Sequence, residues 1–567
     1  MFFEMKVLLV SVNASFMHTG AACRALKVFA DEYFKKNSLK PVIECAEFTI
    51  NQPAGEVLRS IGFTGADMVL FSTYIWNAEY VCKILPDVKK ILPGCTVGAG
   101  GPEFGYAAEK YLKMLPALDF IIWGEGEQVL CNVLEKKNFP EEIDSVKGIY
   151  FRDDSGKVIF SGAQCPVENL DILPFCYPEL LTDDYDPDHK IYYYESTRGC
   201  PFSCAYCLSS VDKKVRFKSL EKVKQELKIF LDAGVKLVKF IDRTFNLNAD
   251  RYIPVWQFIL ENHNGKTMFH FEIEAEYLSQ EALDFLQKVP PGVMQFEMGV
   301  QSANKKTLRA VNRSDNVETL AQKIRRIPRT IHQHLDLIAG LPYENLESFG
   351  HSYDFVMNLR PDALQLGFLK VLEGTVMADF AGKNGWKWME NPVYETFSTP
   401  YLSFKDFAYL KNIETVTDAY WNKDSFDSTM NYIFRKVSPW TFMCSITDYG
   451  KKNGAFDQAR REAYWFELLS GWIKEKPLSQ LDYELVKDLL RYDYISSGKK
   501  GNFPQWYEHR YNKEKHKALL DKKELLNSTR IGFAISDFEV FDYDVLSDRP
   551  EEYPGTKELL IRYDLTE

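Results

Sequence analysis

The sequence predicts an α/β protein in three parts: a doubly wound parallel sheet, a partial (β/α)6 barrel, and a mainly helical tail with some strands. Three patterns predict it. Up to about residue 140, short apolar runs alternate with helix-spaced segments. Between about residues 191 and 375 that alternation returns, but along each strand apolar and polar residues now exchange at every step. The remaining third is rich in Trp, Tyr and Phe and reads mostly as helix. Repeated βαβ units give parallel sheets, and 567 residues, 46% of them hydrophobic, supply more than one core.

The first domain, residues 1–140, is read from apolar runs at Lys6 to Val12, Val42 to Phe48, Met68 to Trp76, Thr96 to Gly98 and Phe120 to Trp123. After the first of these, Ala22, Leu26, Phe29, Tyr33 and Phe34 recur at helical spacing. The strands are too apolar to face water on either side, as in a sheet covered by helices on both faces. Ligands of such sheets sit beyond the carboxyl ends of the strands. The unusual residues gather there: Asn13-Ala14, Ser72 to Asn77, Gly98 to Pro102, and Gly124-Glu125-Gly126-Glu127. No G-x-G-x-x-G follows the first strand, so a nicotinamide cofactor is not indicated. The start, Met1 to Val10, carries an acid among its hydrophobes and no basic leader, and reads as a first strand and not a secretion signal. The expected location is cytoplasmic, and 11 cysteines without a disulfide-like pattern agree with a reducing compartment.

Residues 141–190 read as a hairpin and linker. Gly148 to Arg152, the turn Asp153-Asp154-Ser155-Gly156, and Lys157 to Phe160 form the hairpin, and a Pro-, Asp- and Tyr-rich stretch follows. The barrel, residues 191–375, takes its strands from Tyr192 to Glu195, Val235 to Asp242, Met268 to Tyr277, Val293 to Gln301, His332 to Ala339 and Ala363 to Val371. Successive strand residues face opposite sides of a sheet. Phe269, Phe271, Ile273 and Ala275 therefore share one face and His270, Glu272, Glu274 and Glu276 the other, and Met294, Phe296, Met298 and Val300 lie opposite Gln295, Glu297, Gly299 and Gln301. An ordinary barrel fills its centre with Val, Ile and Leu. A lumen offering Glu274, Glu297, Gln301, His334 and Asp336 suggests instead a cavity for polar ligands.

Directly after the first barrel strand comes Ser196-Thr197-Arg198-Gly199-Cys200-Pro201-Phe202-Ser203-Cys204-Ala205-Tyr206-Cys207, three thiols on one short loop. A structural zinc site needs four ligands, usually in two pairs, and the other cysteines are scattered singly. A [4Fe-4S] cluster accepts three thiolates and leaves one iron open to a small molecule. The bland reading is three buried structural cysteines.

The spacing Cys-x3-Cys-x2-Cys, with Tyr206 before the third thiol, resembles the signature of the radical SAM superfamily. The resemblance implies that Cys200, Cys204 and Cys207 hold a [4Fe-4S] cluster, that S-adenosylmethionine (SAM) binds its open iron, and that a 5'-deoxyadenosyl radical abstracts hydrogen from the substrate. It also implies that Tyr206, Glu297, Gln301 and Ser302 contact SAM and that Arg313 pairs its carboxylate. For each of these the bland reading is an internal ion pair or packing contact. Asp242 and Asn246, at the end of the second barrel strand, are the first candidates to touch substrate, with Glu274, Asp336 and Tyr74 behind them.

Ser72-x-Tyr74 and, a helix later, Gly100-Gly101 resemble the nucleotide-tail slot of cobalamin-binding domains, which makes the first domain Rossmann-like of the cobalamin-binding type. Those domains in their His-on form carry Asp-x-His-x-x-Gly, whereas here Phe16-Met17-His18-Thr19-Gly20 lacks the Asp and is one residue short. His18 is therefore not expected to ligate cobalt. Two readings of the slot stay open: bound cobalamin, or tight βα turns with no ligand.

The tail, residues 376–567, is read as helices around Asp406 to Trp421, Asp457 to Lys474 and Ser479 to Arg491, then strands at Arg530 to Ile535 and Leu559 to Tyr563 that close over the barrel mouth. Its aromatics Phe533, Phe538 and Phe541 read as core. Cys444 stands by itself, so no second cluster is expected. A net charge of −11 disfavours long nucleic acid, and no apolar run is long enough to span a bilayer, which leaves a small molecule as the substrate.

Over nearly the whole chain this layout resembles cobalamin-domain radical SAM proteins that end in a domain of unknown function. Within that layout a queuine lyase fits best: hydrogen abstraction from the cyclopentenediol of queuine, carbon–nitrogen cleavage, and release of 7-aminomethyl-7-deazaguanine. Glu274 or Asp242 would accept from the guanine-like edge of this deazapurine, and the reducing partner would be a flavodoxin or ferredoxin. The alternatives are a cobalamin-dependent radical SAM methyltransferase and a non-catalytic iron–sulfur or cobalamin-binding regulator.

Overall fold

In the computed structural model, the structure describes residues 5–36, 40–136, 142–182, 185–497, 503–510, 513–514 and 535–563. Five strands of the first domain, β1 (Lys6–Asn13), β2 (Val42–Thr49), β3 (Met68–Ser72), β4 (Thr96–Gly100) and β5 (Phe120–Ile122), run parallel in the order β2-β1-β3-β4-β5. The two faces of β1 feed separate cores. Leu8, Val10 and Val12 pack with Val57, Ile61, Val81 and Leu85 on one side, and Val7 and Leu9 with Phe29, Phe34 and Leu130 on the other. This double burial is why the strand shows no polar alternation. The predicted hairpin forms as β6 (Ile149–Arg152) and β7 (Val158–Phe160), but it does not stand apart as a connector. It adds to β5 as the antiparallel edge of the same sheet.

The second sheet comprises β8 (Ile191–Tyr194), then, after the short antiparallel pair β9 (Thr197–Arg198) and β10 (Arg216–Phe217), β11 (Leu237–Phe240), β12 (Met268–Glu272), β13 (Met294–Gln301), β14 (His332–Ala339) and β15 (Ala363–Phe368). Its six long strands are all parallel, in the order β8-β11-β12-β13-β14-β15, an open partial barrel. Along β13 buried and half-buried residues alternate without a break. The helix between β10 and β11, Leu220–Ala233, shows how local signals set the units: Ser219 Oγ accepts from Lys222 N at the start, and Gly234 closes the end with φ +61°.

The tail extends the barrel's core outward. Helices Phe404–Tyr420, Asp427–Lys436, Pro439–Lys452, Glu462–Glu475 and Tyr483–Ser496 join one apolar cluster with the outer face of the barrel. The sequence reading placed no helix over 427–452. Ser438-Pro439, which looks like a break, is an N-cap followed by proline at the first helical turn, where a missing N–H costs nothing. The closing strands pair as Ile535–Tyr543 and Pro554–Tyr563. The predicted strand Arg530 to Ile535, with Phe533, lies outside the described residues except for Ile535. The hairpin does not cap the barrel mouth: it sits on helix Tyr483–Ser496, where buried Arg491 pairs with Asp488 at 2.8 Å and Glu539 at 2.5 Å. The tail segment that does reach the mouth is earlier, with Met377 N donating to Ala205 O at 2.8 Å.

Candidate functional site

The thiol loop leaves β8 at the carboxyl end of the barrel sheet. Cys200 and Cys204 are buried and Cys207 half-buried, and none of the 11 cysteines is in a disulfide. Among the described residues no three His, Cys, Asp or Glu groups are placed to hold a single ion. Three free thiols on one short loop are the donor set of a cluster in which each thiolate takes its own iron. Burial raises the Cys204 thiol, and Arg313, whose Nη1 lies 3.8 Å from Cys204 Sγ, opposes that shift. The loop is held from three sides. Cys200 N donates to Asp212 O at 2.9 Å, Ala205 N to Val311 O at 3.0 Å, and Tyr206 packs with Val311, Leu341 and Met377.

Beside the loop lies the lumen, and it is as polar as the alternation predicts. Arg313 Nη2 donates to Glu274 Oε2 and to Gly299 O, both at 2.7 Å. Lys239 Nζ donates to Glu297 Oε2 at 3.1 Å, and His270 Nε2 lies 3.0 Å from the same oxygen, off the line of a hydrogen bond. Burial works to raise Glu297, but His270 and Lys239 outweigh it and hold the carboxyl at about 2. The cations near Glu272 and Asp336 act more weakly: Lys239 and Arg243 reach Glu272 only through space, and His334 Nε2 stands 3.9 Å from Asp336 Oδ1. Burial, and then the charge on Glu297, push Glu272 up to about 7 and Asp336 well above the usual carboxylate range. Asp336 Oδ1 and Gln301 Oε1 are withdrawn from water with no hydrogen-bond partner. Gln301 takes φ +67° at a bulge, and its amide folds so tightly across Gly299 that a Cβ there would lie 2.0 Å from Nε2. A lumen with unmet acceptors and buried acids of raised proton affinity fits polar ligands.

Three predicted residues are placed elsewhere. Asp242 is fully buried and accepts from Ser196 N at 2.7 Å, Thr197 N at 3.1 Å and the Ser196 hydroxyl, so it ties down the start of the thiol loop instead of facing a substrate. Burial lifts its carboxyl to about 6. The Asn246 amide exchanges two 2.9 Å hydrogen bonds with the Glu274 backbone, a clamp between strand ends. Ser302 is fully buried and donates to Glu344 at 2.6 Å. Sequence reasoning also passed over Lys239, and it placed His270 on the polar face without naming it as a site candidate. The signal for Lys239 was present, a lysine in step with the lumen face inside an otherwise apolar strand.

The carboxyl edge of the first sheet faces the same region. Tyr74 stacks on Trp76 with ring centroids 4.3 Å apart, and the phenols of Tyr74 and Tyr106, both raised by burial, feel Arg243 at the barrel mouth. Ser72 is half-buried. Gly101 has φ +101°, and a Cβ on it would lie 2.4 Å from Thr73 O; on Gly100 a Cβ would meet Ile122 at an ordinary 3.5 Å. Gly101 is thus required by its own turn, while at Gly100 a side chain would make only an ordinary contact. His18 is engaged elsewhere, with Nδ1 2.5 Å from Tyr193 Oη. Tyr74 and Tyr106, near enough to Arg243 to feel its charge, are the aromatic surface that this sheet edge turns toward the barrel. Glu125 and Glu127, predicted as part of the ligand rim, bind Arg198 and Arg216 of the barrel instead. A separate cavity of about 430 Å³, lined by Lys110, Glu373, Trp388 and Tyr394 among others, lies at the seam of the first domain and the tail, and no thiol borders it.

Comparison with known proteins agrees with this architecture. Residues 194–356 match the radical SAM superfamily, residues 41–134 the B12 binding domain, and residues 382–551 a family described as a protein of unknown function (DUF4080). An uncharacterized methyltransferase of Pyrococcus horikoshii is 24% identical over 359 residues, 61% of this chain and 74% of that protein. An anaerobic magnesium-protoporphyrin IX monomethyl ester cyclase of Rubrivivax gelatinosus is 23% identical over 58% of this chain and 61% of its own length. The cobalamin-dependent radical SAM methyltransferase TokK of Streptomyces tokunonensis is 24% identical over 51% of this chain and 44% of its own length. The fold is shared with the cobalamin-dependent SAM radical enzyme OxsB, solved with aqua-cobalamin: TM-score 0.61, 14% identity, 89% of this chain and 82% of that one. It is also shared with the methyltransferase TsrM of Kitasatospora setae, solved with cobalamin and a [4Fe-4S] cluster: TM-score 0.54, 14% identity, 69% and 82%. These relatives favour the methyltransferase alternative and lend no support to queuine lyase. Among the described residues, no helix is long and apolar enough to cross a membrane. The chain therefore joins a B12-binding domain, a radical SAM domain and a helical region of unknown function, in that order.

Proposed function

We propose that the protein is a cobalamin-dependent radical SAM enzyme that methylates a small molecule. The observation that carries the reading is the three-thiol loop set between a polar lumen and the carboxyl edge of the sheet that matches a B12-binding domain. A [4Fe-4S] cluster, SAM and cobalamin would together supply reductive SAM cleavage and a transferable methyl group. The chain's own residues hold, orient and exclude water. Cys200, Cys204 and Cys207 are the thiolate ligands. Arg313, fixed by Glu274 and the Gly299 carbonyl, presents a fork beside Cys204 suited to a carboxylate. Glu297, kept ionised by Lys239 and His270, and Gln301, with its free carbonyl oxygen, offer acceptors to hydroxyl and amino groups. Tyr74, Trp76 and Tyr106 provide aromatic surface at the gap between domains, and a flavodoxin or ferredoxin would serve as reductant.

The test is anaerobic reconstitution of the full chain, followed by reaction with SAM carrying a labelled methyl group and a panel of small molecules that includes queuine. Methyl transfer expects cobalamin absorbance and a labelled product. Deazapurine release with 5'-deoxyadenosine and no labelled product would instead establish the lyase. Absence of SAM cleavage would leave the non-catalytic regulator.

A further inference from the structure

The loop that carries the three thiols is closed at its base by the β9–β10 ladder, and that ladder opposes like charges. Arg198 and Arg216 are direct cross-strand partners, an arrangement that destabilises a strand pair unless it is bridged. Both are withdrawn from water, with side chains 13% and 4% exposed. The bridge comes from the other domain. Glu125, in the turn after β5, places Oε2 3.2 Å from Arg198 Nη1 and Oε1 2.6 Å from Arg216 Nη2, so a single carboxylate spans both strands. Burial works to raise Glu125, but Arg216 and Arg198 outweigh it and hold it below the usual carboxylate range. Glu127 adds a 2.6 Å contact to Arg198 Nη2. The barrel's own carboxylates are more peripheral: Glu195 at 2.8 Å from Arg198, and the half-exposed Asp212 at 2.9 Å from Arg216.

The ladder has little slack through which to relax. Gly199, between Arg198 and Cys200, holds φ +88°, and a Cβ on it would lie 2.4 Å from Lys214 O, just ahead of the returning strand. Cys200 N donates to the carbonyl of Asp212, the residue that also pairs Arg216. A shift of either arginine is thus passed to the first thiol through one or two residues.

We propose that Glu125, assisted by Glu127, is a positioning residue for the thiol loop: the first domain supplies the counter-charge that closes the loop's base and so sets the spacing of Cys200, Cys204 and Cys207. This rests on those thiols being the cluster's ligands. The test uses the full chain carrying Glu125→Gln with Glu127→Gln, and reads two quantities apart from turnover. One is the rate at which an iron chelator strips the reconstituted protein; the other is the per-cysteine rate of iodoacetamide labelling of the metal-free chain, resolved by mass spectrometry. Iron release is expected to rise about fivefold or more, and labelling of Cys200, Cys204 and Cys207 about threefold or more, while Cys23, Cys131 and Cys444 keep their wild-type rates. Glu179→Gln, which removes a carboxylate from Arg24 at a distance from the loop, should change neither quantity. Unchanged release and labelling in the double variant would overturn the proposal, and so would a uniform rise over all cysteines, which would mean general loosening. A wild-type chain that binds no iron would sink the cluster reading, whereas the labelling comparison would still decide the role of Glu125.

Discussion

β1 of the first sheet is buried at every position from Val7 to Asn13, whereas β13 of the barrel alternates buried and half-buried residues over all eight of its positions. Both strands are parallel and central, yet the first serves two apolar cores and the second serves one core and one half-buried polar face. A strand buried on both faces has no side chain to spare for chemistry, so the first domain can meet a ligand only at strand ends, through Ser72, Tyr74 and the Gly100–Gly101 turn. A strand with one polar face carries its chemistry along its length, and Lys239, Glu272, Glu297 and Asp336 face inward from four neighbouring strands.

The contrast can be broken at several points. The largest effect is expected at the loop beside the polar face: Cys204→Ala should abolish iron retention after reconstitution and lower SAM cleavage about 100-fold or more, measured by iron content and 5'-deoxyadenosine release. Next is the apolar sheet itself. Val10→Asp puts a charge between two cores with no partner and should cost about 4 kcal/mol, enough to unfold the first domain, while Gln295→Asp on the barrel's polar face should cost under about 1 kcal/mol, both read from denaturant unfolding. At the end of β4, Gly101→Ala forces a side chain into φ +101° and onto Thr73 O; it should cost about 2 kcal/mol and weaken cobalamin binding about tenfold by absorbance titration.

The smallest effect sharpens the comparison through pH. Burial and the charge of Glu297 lift the Glu272 carboxyl from 4.5 to about 7, so the folded chain holds that proton more tightly than the unfolded one. Its contribution is full below about 4.5 and is lost as pH rises through about 7. Glu272→Gln keeps the group neutral. Variant and wild type should unfold alike near pH 4, and the variant should be more stable by about 1–3 kcal/mol at pH 8, by denaturant titration.

Much of the fold and part of the site were legible in the chain. The thiol spacing, the doubly buried strands and the two faces of β13 are local patterns, and the structure keeps them; the strand expected over Met268 to Tyr277 ends at Glu272, with His270 buried and Ala275–Tyr277 in a 3-10 turn. Asp242 and Ser302 lie in the packed interior, and the same rule could have placed them there. Asp242 is in step with Val238 and Phe240, and Ser302 with Met298 and Val300, so each continues the apolar side of its strand and reaches the packed interior instead of the lumen. Asn246 had no such signal, because it follows the strand, and its partner is the backbone of a neighbouring strand end. The tail was harder, since Ser438-Pro439 reads equally as a break and as a helix start until the preceding chain direction is known.

The order of side chains along each strand decided by itself which residues face a core and which face a cavity, because a period of two survives whatever the strand packs against. Which charges meet was decided only in three dimensions. Glu125 lies in a turn of one domain, and Arg198 and Arg216 flank a loop of another, and nothing in the spacing between them announces a bridge. Like charges on a two-residue ladder become tolerable only after both cores have formed and brought a distant carboxylate within reach, so that contact belongs to the assembled fold.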